Sequence, residues 1–501
     1  MGLSILDIYL LAPEITMVAF SLLVIFAGLK WGNSSIPIYL FLLAAIVSFS
    51  LSVFLWMRVD AYGPEMFMNE SLILDKYAIF FKCLILIAIA LIVLVSKSPL
   101  DDFKYRAEFV GLAMLSLVGL MLLPSAADLI TIFVAIELAS LPIVALAAFA
   151  TGIDKSSESG LKFLVLSAIS SALLLYGFAF FYGAAGTLQV VALDDSTLTI
   201  SSMLTSLDAG MPFGSVPILV ATILSISGLG FKLSLVPFQM WTPDVYEGAP
   251  TSVGAMLSVA SKAAGFALLL RILYTTLNHE VISGDWSLLL ALIAAITMTV
   301  GNLVAITQKD LKRLLAYSAI AQAGYVLVGV ASFSDFGNDQ QLGSESVLFY
   351  LAGYAAMNVA AFAVVILTVH RKQTSQIISL EGLGISSPLL AGTLAVSLLA
   401  LTGIPPSVGF MGKFFIFNAA ISADLTWLVI IGVINSAISA YYYLNIIKIM
   451  YLREPTVTES QWRVGLAPSL ILLLTSGATL FLGVFPKPLL NLVREAALSI
   501  I

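Results

Sequence analysis

The chain has one cysteine, Cys83, and two histidines, His279 and His370. A lone thiol excludes a disulfide framework and any iron–sulfur cluster held by this chain alone. Two histidines leave one pair at most for haem ligation. Charge is scarce too. Asp, Glu, Lys and Arg make up 10% of the residues, against roughly 25% in a soluble domain. The net charge of −6 offers no basic face, so no nucleic-acid partner is expected. Phosphate-binding loops are missing as well. "GLGFKL" (228–233) lacks the third glycine of a dinucleotide loop, and "GFMGKFF" (409–415) lacks the Walker spacing and its Ser/Thr. Any redox or nucleotide chemistry must therefore belong to other subunits.

What the chain has in excess is apolar length. Hydrophobic residues make up 60% of the total, and runs near the ~20 residues needed to cross hydrocarbon recur throughout. The fold class is an all-α polytopic membrane protein. Fourteen spans are predicted, near 8–29, 36–57, 76–96, 108–124, 127–150, 160–182 and 214–240, then 250–277, 286–306, 309–332, 345–369, 389–418, 425–450 and 464–485. The longest polar interruption, 187–213, is too short for a soluble domain, so residues 1–501 form one membrane domain. "MGLSILDIYLLAPEIT" lacks a basic leader and a nearby cleavage site, and reads as an uncleaved first span. Lysines and arginines concentrate in the connections after odd-numbered spans, among them Lys97, Lys104, Arg106, Lys309, Lys312 and Arg313. That asymmetry places those connections in the cytoplasm and both termini outside. Trp31, Trp56 and Trp286 fall at span ends, as interface anchors do.

Five lysines remain that belong neither to a connection nor to a terminus: Lys82, Lys162, Lys232, Lys262 and Lys413. Glu137 is the one acid deep in a predicted span. A charge at mid-membrane costs at least ~2.5–3.5 kcal/mol, so it faces a cavity or a partner. Lys82 sits close to a polar loop, and snorkelling to the surface accounts for it. Lys162 fits a structural or a functional role equally. Lys232, Lys262 and Lys413 have no opposite charge within a helical turn, and for them and Glu137 a role in chemistry is the stronger reading. Burial lowers a lysine's proton affinity and a neighbouring carboxylate restores it. One glutamate and several lysines on separate spans therefore suit a proton relay. They do not suit a metal site, because lysine is a poor ligand and the acids are too few.

Two spans are interrupted. Gly228, Gly230 and Pro237 bracket Lys232 in the seventh, and Gly403, Pro405, Pro406, Gly409 and Gly412 precede Lys413 in the twelfth. Paired interruptions mark discontinuous helices in inverted repeats. Here they are the fourth members of spans 4–8 and 9–13. An opened turn frees carbonyl groups that can hold an ammonium group, so each break is expected to serve the lysine of its own span. The chain divides accordingly into an N-terminal three-helix part (1–104), a first repeat (105–280), a second repeat (281–455) and a C-terminal helix (456–501).

The segments "VAIELASLP", "ESGLKFLVLSAISSALLLYG", "GFKLSLVPFQMWTPDVYEGAPTSVGAMLSVASKAAGFALLLRI", "GNLVAITQKDLKRLLAYSAIAQAGYVLVG" and "GIPPSVGFMGKFFIF" resemble the antiporter-like subunits of respiratory complex I, the NADH–quinone oxidoreductase. The resemblance covers about residues 105–450. It lies nearest the N-type chains, because the long lateral helix of the L-type is missing and Lys413 stands where M-type chains commonly carry glutamate. By this resemblance Glu137 and Lys232 are a mutually modulating pair and Lys162 lies between them. Lys262 is then the centre of the membrane axis and Lys413 the exit-side protonation site. Asp244 and Glu247 fall in the matched loop between spans seven and eight, with structural hydrogen bonding expected. Many relatives have histidine where Gln322 stands. Glutamine does not titrate, so Gln322 would connect Lys262 to Lys413 through water or its amide.

The resemblance implies a proton-translocating subunit with no redox site and no cofactor of its own. NAD, FMN, iron–sulfur clusters and quinone would be held by partner subunits. The partners implied are an M-type antiporter-like subunit, small K-, J- and A-type membrane subunits, and membrane lipids in a bacterial inner membrane. A sodium/proton antiporter subunit, the membrane arm of an energy-converting hydrogenase, and a passive scaffold are the alternatives. The first is disfavoured because sodium needs several oxygen ligands.

Overall fold

The computed structural model describes residues 4–31, 35–193, 197–202, 216–278, 280–333, 342–454 and 462–500. His279 lies outside them. Among these residues thirteen helices are long and apolar enough to cross a membrane. They match thirteen of the fourteen predicted spans. The remaining one, the twelfth, consists of two shorter helices, Pro388–Thr402 and Val408–Ser422. One small antiparallel pair, Glu65–Phe67 with Leu72–Leu74, is the only named sheet among the described residues.

Polar residues at the span ends start the helices. Asp75 accepts from Ala78 N at 2.7 Å at the start of the third span (Lys76–Val95). Asp128 accepts from Ile130 N and Thr131 N at the start of the fifth (Leu129–Ala147). Asp310 does the same for Arg313 N at the tenth (Leu311–Ala331). Each carboxylate occupies donors that a helix start would otherwise leave unpaired.

The seventh helix stops earlier than its hydropathy suggests, covering Val216–Leu233. Ser234 then adopts φ +61°, and Pro237 offers no N–H to continue the ladder. A short helix, Trp241–Gly248, follows before the eighth span begins at Thr251. In the twelfth span Gly403 closes the first half at φ +92°, and Ser407 caps the second. A Cβ at Gly409 would collide with the carbonyl of Ala400, so glycine is what lets the two halves lie against each other.

The eighth span (Thr251–Thr276) is wholly buried, and the tenth and eleventh (Leu342–Lys372) are 94% and 89% buried over their most apolar stretch. The first and fourteenth spans are mostly exposed. Spans eight, ten and eleven thus form the buried helical centre. After the fourteenth span the short helix Lys487–Leu498 packs against the third and eleventh spans. It is tied down by Arg494–Glu345, Lys76–Glu495 and the bond from Tyr77 N to Ser499 Oγ. Trp286 departs from its expected place at an interface. It is buried, donating its Nε1 to Leu277 O at 3.0 Å.

Candidate proton-transfer site

The eighth span widens into a π-turn at Leu257–Ser261, directly before Lys262. Such turns disturb regular backbone pairing and occur often at functional positions. Lys262 is buried, and its Nζ donates to the carbonyl of Leu233 at 2.9 Å. Leu233 is the last residue of the seventh-span helix, and the break beyond it leaves its carbonyl without an intrahelical partner. The negative end of a helix suits an ammonium group. Gly265 lets the two spans come this close, since a Cβ there would meet Leu233 Cδ2 at 2.8 Å.

Lys413 repeats the device. Its Nζ donates to Leu401 O at 3.1 Å, Thr402 O at 2.9 Å and Ser436 Oγ at 2.9 Å. Leu401 and Thr402 end the first half of the broken twelfth span. The Tyr325 ring lies 4.2 Å below the ammonium group, a further attraction for a cation. Among the described residues both lysines are therefore held by backbone ends and neither by a carboxylate.

Lys232 departs from expectation. The break in its own span serves Lys262, while Lys232 Nζ donates to Ser140 Oγ of the fifth span. The cause is direction. Helical side chains lean toward the N-terminus of their helix. Lys232 precedes its break and leans away from it, whereas Lys413 follows its break and leans back onto it. Glu137 does not touch Lys232 directly. Its carboxylate accepts from Ser171 Oγ, and Glu137 is the charged group that acts on Lys232. A cavity of about 20 Å³, lined by Ser140, Lys232, Ser261 and Gly265 among others, lies between Lys232 and the eighth span. It has room for about one water.

Gln322 sits beside Lys413. Its Nε2 donates to Leu401 O at 3.0 Å, and its Oε1 accepts from Tyr350 OH. Further buried polar groups line the way to Lys262: Ser258 pairs with Tyr354 OH at 3.1 Å and accepts from Asn358.

Lys162 does not lie between Glu137 and Lys232. Its side chain is 41% accessible and forms ion pairs of 2.7 Å with Glu158 and with Asp244. Arg313 joins Asp244 at 2.7 Å and Glu247 at 3.0 Å, and Lys155 joins Glu247 at 2.7 Å. These groups line an open pocket of about 190 Å³. Partial burial pushes the Asp244 carboxyl up, but the bonds from Lys162 and Arg313 outweigh it and hold Asp244 below the usual carboxylate range. Glu247 is lowered in the same way by Lys155 and Arg313, against the same burial.

Three groups escaped the sequence reading. Lys82 does not snorkel. It is buried, with its Nζ 2.8 Å from Glu14 of the first span, so Glu137 is not the only acid inside. Arg271 and Asp75 form a fully buried pair at 2.7 Å. Lys312 is buried and donates to Ala249 O at 3.0 Å. Lys82 stands close to a polar connection, and Arg271 and Lys312 lie toward span ends, where hydropathy does not show burial.

Residues 126–439 match the family described as NADH:quinone oxidoreductase/Mrp antiporter, TM. The NADH-quinone oxidoreductase subunit N of Desulfitobacterium hafniense is 39% identical, over 99% of this chain and 99% of its own length. The subunit N of Dehalococcoides mccartyi is 38% identical, over 98% and 99%. Among solved structures, a chain of respiratory complex I from Thermus thermophilus with bound aureothin superposes with a TM-score of 0.76 at 30% identity, covering 96% of this chain and 98% of its own. A chain of the Mrp complex from Dietzia sp. reaches 0.85 at 21% identity, covering 99% and 97%, a likeness of fold. This chain belongs to the NADH:quinone oxidoreductase/Mrp antiporter membrane family, in the group of NADH-quinone oxidoreductase N subunits.

Proposed function

We propose that the chain is a proton-translocating module of a complex I-type NADH–quinone oxidoreductase, with quinone reduction in other subunits driving proton transfer through it. The observation that supports this most is the anchoring of Lys262 and Lys413 on the open ends of two broken helices, with no carboxylate partner for either among the described residues. A carbonyl holds an ammonium group less firmly than a carboxylate does, so each lysine can take up and release a proton. Charge on the Glu137–Lys232 pair, transmitted through Ser140 and the adjoining cavity, biases Lys262. Lys262 passes its proton along the Ser258, Tyr354, Tyr350 and Gln322 hydroxyl and amide groups to Lys413. Opposing a membrane potential of 100 mV requires about 2.3 kcal/mol per charge.

On this reading NAD, FMN, iron–sulfur clusters and quinone belong to partner subunits, and an M-type chain and the small K-, J- and A-type subunits are neighbours. The membrane is the bacterial inner membrane, with both termini outside, and the two sets of spans 4–8 and 9–13 act as inverted halves. Sodium/proton antiport is the less favoured reading, because the axis offers lysines where sodium needs clustered oxygen ligands. Reconstituted complex carrying Lys262→Ala tests the proposal. It should reduce quinone with a lowered number of protons transported per electron pair. An unchanged ratio would rule out this relay.

A further inference from the structure

The relay needs a supply of protons, and the buried lysine that the mechanism does not use is Lys312. It lies on the tenth span beside the open charged pocket, which Arg313 and Gly248 line. Its Nζ bonds the carbonyl of Ala249, the residue that follows Gly248. The pocket wall and the anchor of Lys312 are therefore consecutive residues. Asp310, Glu247 and Lys155 are the charged groups that act on it.

A polar row leads inward from the same point. Tyr246 lies one turn before Ala249 on the short helix Trp241–Gly248, buried, with no well-directed hydrogen bond to its hydroxyl. Ser258 and Tyr354 lie within interaction range of that hydroxyl. Ser258 bonds Tyr354 OH at 3.1 Å, and it stands one turn before Lys262 on the same face of the π-turned span. Lys312 and Tyr246 therefore stand at the Gly248–Ala249 corner beside the pocket, and Ser258 and Lys262 follow one turn apart on the eighth span.

We propose that Lys312 is the proton-loading group of this chain, filled from the pocket and emptied toward Lys262; this rests on the relay reading above. In the step, an N–H bond of the Lys312 ammonium breaks as a hydroxyl of the row gains that proton. Each hydroxyl then gives up its own proton in turn, and the neutral amine of Lys262 ends as ammonium. Lys312 is left as an amine, and water in the pocket supplies the next proton. The pocket carries both acids and bases, so it can gather protons and still present no fixed counter-ion to Lys312.

The test is proton transport per electron pair in vesicles holding the intact complex. Lys312→Arg keeps the cation and the bond to Ala249 O, but arginine does not release its proton. It is expected to lower the ratio as far as Lys312→Met does, with quinone reduction retained. Full pumping by Lys312→Arg would overturn the proposal, leaving Lys312 as a structural cation. If the arginine is too large for the site and the complex does not assemble, Lys312→Gln answers the same question. It should pump poorly, and full pumping would again overturn the proposal. Lys413→Ala in the same assay separates the two readings. If it pumps normally the relay itself fails, and if it is impaired while Lys312→Arg is normal, only the loading step fails.

Discussion

Lys413 and Gln322 donate to one and the same acceptor, the carbonyl oxygen of Leu401, at 3.1 and 3.0 Å. A carbonyl has two lone pairs, so both can bind at once. A shift of either changes what the other feels. The neutral amide therefore sits in contact with the lysine's anchor, where a titrating histidine would compete for the proton.

Position 322 can be tested on this basis. Gln322→His should preserve pumping, because imidazole both donates and accepts. Gln322→Leu leaves Tyr350 OH without its acceptor and the Leu401 carbonyl with one donor fewer, a loss of about 1–3 kcal/mol of local stability, and should pump poorly. Vesicle measurements of proton uptake against quinone reduction decide it. Full pumping by the leucine variant would show that the proton takes another path.

Lys413 itself should matter more. Lys413→Ala deletes a protonation site and is expected to reduce coupled pumping by about tenfold or more, the scale of losing a proton-transfer group. Lys413→Glu keeps a titratable group but trades an attraction to carbonyl ends for a repulsion, so it should retain partial pumping at best. Equal activity of the two variants would mean that titration at 413 is irrelevant.

The serine bound by Lys232 offers a third test. Ser140→Ala removes the acceptor of the Lys232 ammonium without altering either charge. Pumping should fall, though less than in Lys232→Ala or Glu137→Gln, and Glu137→Asp should keep more activity than Glu137→Gln. If the alanine variant matches the parent, the pair communicates without the hydroxyl.

Glu14 and Lys82 predict a stability pattern. Breaking a buried ion pair from one side costs about 3–5 kcal/mol, whereas replacing both partners can be neutral. Lys82→Met alone should markedly lower the thermal midpoint of the purified complex, and Glu14→Gln with Lys82→Met should recover most of it. Additive losses would show that the two side chains do not depend on each other.

The charged cluster gives a pH prediction. Asp244 and Glu247 have folded values below their ordinary range, so their contribution is complete above about pH 4–4.5, where the unfolded carboxyls ionise. It is lost only as pH falls through the lowered folded values. Arg313→Gln removes a donor to both carboxyls and should move acid-induced loosening of this face to higher pH. Thermal midpoints taken from pH 7 to pH 3 would show the variant below the parent at neutral pH and the two curves converging at the acid end. Curves that run parallel throughout would contradict it.

The span count and both breaks were legible in the sequence because bilayer thickness dictates run length, and glycine and proline report where a helix yields. Lys232, Lys262 and Lys413 were legible too, as isolated charges in apolar runs. Which carbonyl each lysine would reach was not, because that depends on side-chain lean and on which spans neighbour each other. Lys162 was misplaced for a related reason. Its helix, Asp154–Ala185, extends well beyond the apolar stretch, so a residue that looks interior by hydropathy stands at the rim. Lys312 and Arg271 show the opposite error, since their position at span ends concealed burial against other helices.

The carbonyls of Leu233, Leu401 and Thr402 belong to the backbone and persist whatever side chain occupies those positions. Genetic drift at 233, 401 or 402 can therefore alter the surroundings of a lysine but cannot delete its binding partner, as it could a glutamate. The vulnerable letters lie elsewhere, in the glycines and prolines that keep the ladder open. Restoring a continuous helix through 234–237 or 403–407 would silence a lysine that had not itself been touched.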